Sequence, residues 1–113
     1  MGVTHGVNGI DLSLEQYQML ITLLKQYLPN TEVWAYGSRV KGTSSSYSDL
    51  DLVAFTSPAQ QSAVFDLKEA FEESDLPFRV DLFSWDEIPE QFQKNIKKDK
   101  VLLSYSNSPL FIT

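Results

Sequence analysis

The sequence contains no cysteine, which excludes disulfide staples, thiolate zinc sites and a cysteine nucleophile. Histidine is almost as scarce. The single one, His5, has no neighbouring ligand-type residues and takes no role. Positive charge is thin, with nine Lys and Arg against fifteen Asp and Glu and a net charge of −6. An acidic domain is a poor binder of long DNA or RNA, whose phosphates ask for clustered Lys and Arg. A small nucleotide asks only for local donors and a metal, so nucleotide chemistry survives this exclusion. No apolar run approaches the roughly 20 residues that span a bilayer. Residues 1–9 lack a basic patch followed by an apolar stretch, so no secretion leader is expected. Gly6 stands where a myristoylation signal has Ser or Thr. These absences set a cytoplasmic location, without membrane contact, as the default expectation.

What the chain does have is apolar substance. Its 113 residues are 42% hydrophobic and 12% aromatic, which describes one folded domain with a single core. Residues 1–10 read as a loose arm and residues 105–113 as an uninformative tail. Ser13 and Gln16 form a capping-box pair that opens a helix, with Leu12 and Tyr17 placed as its hydrophobic staple. Tyr17, Leu20, Ile21, Leu24 and Leu28 then recur at helical spacing, until Pro29-Asn30 stops it. A strand follows over about 32–36, then a Gly37-Ser38 turn, a short helix over 39–42 and the polar loop Thr43-Ser44-Ser45-Ser46.

A second strand is expected from about Asp49 to Phe55. Ser57, Pro58 and Gln60 mark the next helix start, with Ala63 or Val64, Leu67, Ala70 and Phe71 as its buried face. Phe78 to Phe83 alternates as a third strand, placing Arg79, Asp81 and Phe83 on one face. Ser84 and Glu87 signal a last helix striped by Ile88, Phe92 and Ile96, and Val101-Leu102-Leu103 a short final strand. Helices alternating with strands predict a small α/β or α+β fold with a short mixed sheet.

The chemistry concentrates at Gly37-Ser38 and, after ten intervening residues, Asp49-Leu50-Asp51. Four fixed residues at that spacing arise by chance on the order of once in a thousand sequences of this length. The context fits, since the turn follows a strand and the acids open one. Gly37 lets a backbone approach phosphates without a Cβ in the way, and amides at a helix start suit an anion. Asp49 and Asp51, two apart on a strand, share a face and lie roughly 7 Å apart along it. Asp81, on a neighbouring strand, is expected beside them. Three acids on one sheet face repel without a counter-ion, and Mg²⁺, which takes oxygen ligands and shares its shell with substrate phosphates, suits the role. Two such ions stabilise the attacking and leaving oxygens of an in-line displacement.

Three stretches, Val33 to Gly42, Tyr47 to Leu52 and Ser74 to Leu82, resemble the minimal nucleotidyltransferases of the DNA polymerase β superfamily. The resemblance covers roughly residues 12–103. It implies that Gly37-Ser38 binds the triphosphate, that Asp49 and Asp51 hold metal, and that Asp81 holds metal or takes the acceptor's proton. Arg39 and Lys41 are further candidates for the phosphates. The implied reaction moves a nucleoside monophosphate, AMP by expectation, from ATP or another NTP to an acceptor hydroxyl and releases pyrophosphate. Larger relatives append a helical domain that binds the acceptor, and no such domain is expected within these 113 residues. Relatives of this size resemble antitoxins paired with a helical partner of the HEPN type, which they neutralise, in some cases by adenylylation.

Other accounts of the same residues stand beside this one. Asp49 and Asp51 can serve as solvent-side charges guarding an edge strand, and Asp81 as the ion-pair partner of Arg79. Tyr36 can stack on a base or pack the core, and Trp34 and Trp85 read as core. Lys94, Lys97, Lys98 and Lys100 read as a solvated helix end complementing the dipole. At the level of function, the rivals are a nucleotide-binding antitoxin that masks its partner without catalysis, and a stand-alone enzyme modifying a small molecule such as an antibiotic.

Overall fold

Helix α1 (Leu14–Tyr27) starts where the Ser13 capping box sets it. The Gln16 amide donates to Ser13 Oγ at 3.0 Å and the Ser13 amide to Gln16 Oε1 at 2.9 Å. The computed structural model describes residues 6–103. After α1 come β1 (Val33–Tyr36), the single-turn α2 (Ser38–Lys41), β2 (Leu50–Ala54), α3 (Gln61–Glu73), β3 (Val80–Ser84), α4 (Glu90–Asp99) and β4 (Val101–Leu103).

The four strands form one mixed sheet in the order β3-β2-β1-β4. Strand β1 runs antiparallel to β2 and β4, while β2 and β3 are parallel. A parallel pair needs a crossover, and α3 supplies it. Strand alternation then gives the sheet two unlike faces. Val33, Ala35, Leu50, Leu52, Ala54 and Leu82 pack with Leu20, Leu24 and Leu28 of α1 and Val64, Leu67 and Phe71 of α3. The fully buried leucines among them each contribute on the order of 2 kcal/mol. The other face carries Trp34, Val53 and, from α4, Ile96, flanked by Tyr36, Phe55, Trp85 and Ile88. Trp34 meets Phe55 and Trp85 edge to face, and Phe55 and Trp85 lie tilted against each other, with ring centroids 4.6–5.3 Å apart. Two of the four clustered lysines lie over these rings, Lys100 on Trp34 at 4.9 Å and Lys97 on Trp85 at 5.8 Å.

Four local expectations are corrected. Within the supposed loose arm, Val7 and Ile10 exchange backbone hydrogen bonds across a tight turn, and Ile10 is completely buried. His5 and the tail beyond residue 103 lie outside the described residues. Strand β2 begins at Leu50, so Asp49 stands one residue before it. The Ser84–Glu87 box opens only a 3-10 turn (Trp85–Glu87), and α4 restarts after Pro89. The residue before a proline avoids helical geometry, and Ile88 is extended at φ −91°, ψ 126°. That break re-phases the helix, leaving Phe92 half exposed instead of buried. The Ser57 box likewise opens a 3-10 turn (Pro58–Gln60), which here runs on into α3. Among the described residues no helix is long and apolar enough to cross a membrane.

Candidate active site

The turn after β1 forces its own glycine. Gly37 sits at φ 86°, in the left-handed region that a side chain disfavours, and a Cβ there would run into the Asp51 carboxylate. The Gly-Ser turn and the second acid of the Asp-x-Asp pair are therefore packed against each other. Helix α2 begins at Ser38, so the Ser38 and Arg39 amides lack helical acceptors, whereas those of Val40 and Lys41 donate to the Gly37 carbonyl at 3.1 and 3.2 Å. Among the described residues the Ser38 hydroxyl has no hydrogen-bond partner.

Register assembles the acids. Tyr36 of β1 pairs with Asp51 of β2, and Asp51 pairs with Asp81 of β3. All three occupy the sheet face opposite α1 and α3, at the end where the Gly37 turn emerges. Burial first, then the charges of Asp81 and Asp49, push the Asp51 carboxyl up from 3.8 to about 6, with Arg79 pulling the other way. Burial and then the charges of Asp51 and Asp81 push the Tyr36 phenol up to about 12, so Tyr36 stays a proton donor. Asp49 joins through Arg79. The guanidinium reaches Asp81 with Nε at 3.0 Å from Oδ1 and Nη2 at 3.3 Å from Oδ2, and Nη2 lies 3.8 Å from Asp49 Oδ2. Among the described residues no three acidic or histidine side chains are already drawn together as a closed metal site. The donor set nevertheless fits a hard divalent cation: oxygen ligands only, one guanidinium for three carboxylates, and a half-buried acid that resists ionising without further positive charge.

The two basic candidates part ways. Arg39 is 5% exposed and faces inward. Its Nε donates to Ser48 O at 2.8 Å, Nη2 to Ser46 O at 3.0 Å and Ser45 O at 3.3 Å, and Nη1 to Asp11 O. Its guanidinium also lies 4.1 Å from the Phe78 ring centroid. This residue clamps the loop between the turn and the acids, with its guanidinium on backbone carbonyls and not at the surface where phosphates were expected to meet it. No local signal separated the two roles, since two residues along a single-turn helix are enough to turn a side chain to the opposite side. Lys41 stays at the surface, 3.6 Å from Asp99.

Lys41 and Asp99 help to line a groove that the sequence did not single out. About 310 Å³ in volume, it is bounded by Tyr36, Gly37, Phe83, Ile88, Phe92 and Ile96 as well. The one available signal was strand alternation, which places Phe83 on the face of Asp81. The rest follows from the α4 restart at Pro89.

Residues 18–108 match the family described as polymerase beta, nucleotidyltransferase. The chain belongs to that family. A probable protein adenylyltransferase, MntA, of Haemophilus influenzae is 45% identical over 95 residues, spanning 83% of each chain. A putative nucleotidyltransferase of Sulfolobus solfataricus, known from a crystal structure, is 22% identical over 86% of each chain with a TM-score of 0.40. The protein is thus a minimal nucleotidyltransferase of the polymerase β superfamily, with the α+β fold of that family, and its substrate class is a nucleoside triphosphate.

Proposed function

We propose that this nucleotidyltransferase moves AMP from ATP to a hydroxyl of a partner protein, and that the partner is a helical protein of the HEPN type which it neutralises as an antitoxin. The observation that carries the reading is the packing of Asp51 against Gly37 with Asp81 as its register partner. It sets two carboxylates beside a turn that suits phosphates. The 45% identity to a probable protein adenylyltransferase supports a protein acceptor.

Asp49, Asp51 and Asp81 would hold Mg²⁺, with two ions expected, and bound metal supplies charge neutralisation for the phosphates and the leaving oxygen. Ser38, through its hydroxyl and amide, orients the triphosphate together with the Arg39 amide. The groove floored by Tyr36 takes the nucleoside, being of the size ordinary for small-molecule sites. The acceptor oxygen attacks the α-phosphorus, the bond to the β-phosphate oxygen breaks, and pyrophosphate departs. Asp81 receives the acceptor's proton as the new phosphoester forms. Lys41, at the groove's edge, pairs with the departing phosphates in place of Asp99.

Incubation with the product of the adjacent reading frame, Mg²⁺ and ATP labelled at the α-phosphate tests this. Label is expected on that product, and none when the γ-phosphate carries it. A partner that is inhibited yet unlabelled would establish masking without catalysis, and label from the γ-phosphate would establish phosphorylation instead.

A further inference from the structure

Arg79 faces the same acids that the sequence marks for metal, and its placement has a specific form. Its main chain is fixed, with the carbonyl accepting the Leu50 amide at 2.8 Å beside Asp49. Its side chain is not, being 70% exposed. From that anchored root the guanidinium takes both oxygens of Asp81 at 3.0 and 3.3 Å and reaches Asp49 at 3.8 Å. A planar fork meeting both oxygens of a carboxylate is the geometry at which arginine binds best. Arg39 is the instructive contrast, since it is buried and held by carbonyls whereas among the described residues the Arg79 side chain is held only by the acids themselves.

We propose that Arg79 is the resident counter-ion of the acidic site, the group that a divalent cation must displace before Asp49 and Asp81 can take it. This rests on the reading that those acids hold metal. A guanidinium and a divalent ion cannot share the same two carboxylates, because at such separations their mutual repulsion is strong. Displacement is nevertheless easy, because exposed ion pairs contribute little each and the side chain has solvent to swing into. Arg79 thereby offsets part of the repulsion on the metal-free sheet face and lowers the affinity of the site for metal arriving alone.

Mn²⁺ binding to the full chain without nucleotide, followed by the EPR signal of free Mn²⁺, tests the proposal. The series comprises the unaltered protein, Arg79→Ala, Arg79→Lys, Asp51→Asn and, as a charge control on the far side of the sheet, Lys25→Ala. Arg79→Ala is expected to tighten Mn²⁺ binding by about fivefold, the equivalent of an exposed ion pair. Arg79→Lys, which keeps the charge but loses the fork, falls between, and Lys25→Ala shifts the affinity by less than about twofold because salt screens a distant charge. Thermal denaturation supplies a second readout: Arg79→Ala melts below the unaltered protein in EDTA, and the gap closes in saturating Mg²⁺. If Asp51→Asn abolishes Mn²⁺ binding while Arg79→Ala leaves it unchanged or weaker, Arg79 is not the competing cation and the metal reading stands. If Asp51→Asn binds Mn²⁺ as the unaltered protein does, or no protein in the series binds it, the acids are not metal ligands and both ideas fail.

Discussion

Replacing Asp49 and Asp51 together by Asn is expected to cut nucleotide transfer by about a thousandfold or more while the domain stays folded. The loss corresponds to about 4 kcal/mol of transition-state stabilisation, in line with the several kcal/mol that a correctly held metal supplies. The stability arm of the experiment carries a sign. In the metal-free protein the Asp51 carboxyl is pushed up from 3.8 to about 6, by burial first and then by Asp81 and Asp49. A folded-state value above the unfolded one means that the folded state holds the proton more tightly. The metal-free protein therefore gains stability as pH falls through about 6 towards 4. Above about 6 the charged form opposes folding in full. Asp51→Asn removes that penalty, so in EDTA at pH 7–8 the variant melts above the unaltered protein, and the advantage vanishes below about pH 4. Melting curves across pH, set beside single-turnover assays, read both arms. A variant that unfolds would make the pair structural, and a variant that retains transfer would remove these acids from the chemistry.

Arg39→Ala is expected to do the opposite, harming the fold before the chemistry. The substitution strips donors from the carbonyls of Asp11, Ser45, Ser46 and Ser48 and removes the cation that lies over Phe78. Losing these charge-assisted hydrogen bonds and emptying the space of a buried side chain is costly, and a destabilisation of about 3 kcal/mol follows, equivalent to a fall in Tm on the order of 15 °C for a domain of this size. Arg39→Lys recovers little, because a single ammonium cannot serve carbonyls on both sides of the loop. Since Asp11 also receives the Ser44 hydroxyl and donates its amide to Arg39 O at 2.7 Å, the N-terminal segment loosens together with the loop leading to Asp49. A variant with unchanged Tm but weakened nucleotide binding would return Arg39 to the phosphates and contradict the inward-facing clamp.

The contrast between these residues shows where sequence reading succeeds. Capping boxes and strand alternation are local rules, so α1, β1, β2 and the shared face of Arg79 and Asp81 were legible. The pairing of Asp51 with Asp81 needed only the assumption that neighbouring strands lie side by side. Gly37 was legible as the turn glycine after a strand, whereas the close approach of Asp51 that also excludes a Cβ there was not. What escaped depends on long-range placement. Arg39 and Lys41 sit two residues apart on one turn and face opposite ways, which only the position of the 43–49 loop decides. Ile10 looked like part of an arm because no periodic pattern surrounds it, yet the sheet leaves a space that it fills. Pro89 was passed over when Ile88, Phe92 and Ile96 were read as one stripe, and its effect on the phase of Phe92, and hence the groove beside Tyr36, emerged only once the helix was placed.

The most direct test is a crystal structure with Mn²⁺ and an ATP analogue whose α,β-bridge cannot be cleaved, with the metal located by anomalous scattering. The expected result places metal among Asp49, Asp51 and Asp81, the triphosphate on the Gly37-Ser38 turn and Arg79 off both carboxylates. Metal elsewhere, or Asp81 still gripped by Arg79 with the turn bare, would contradict the account.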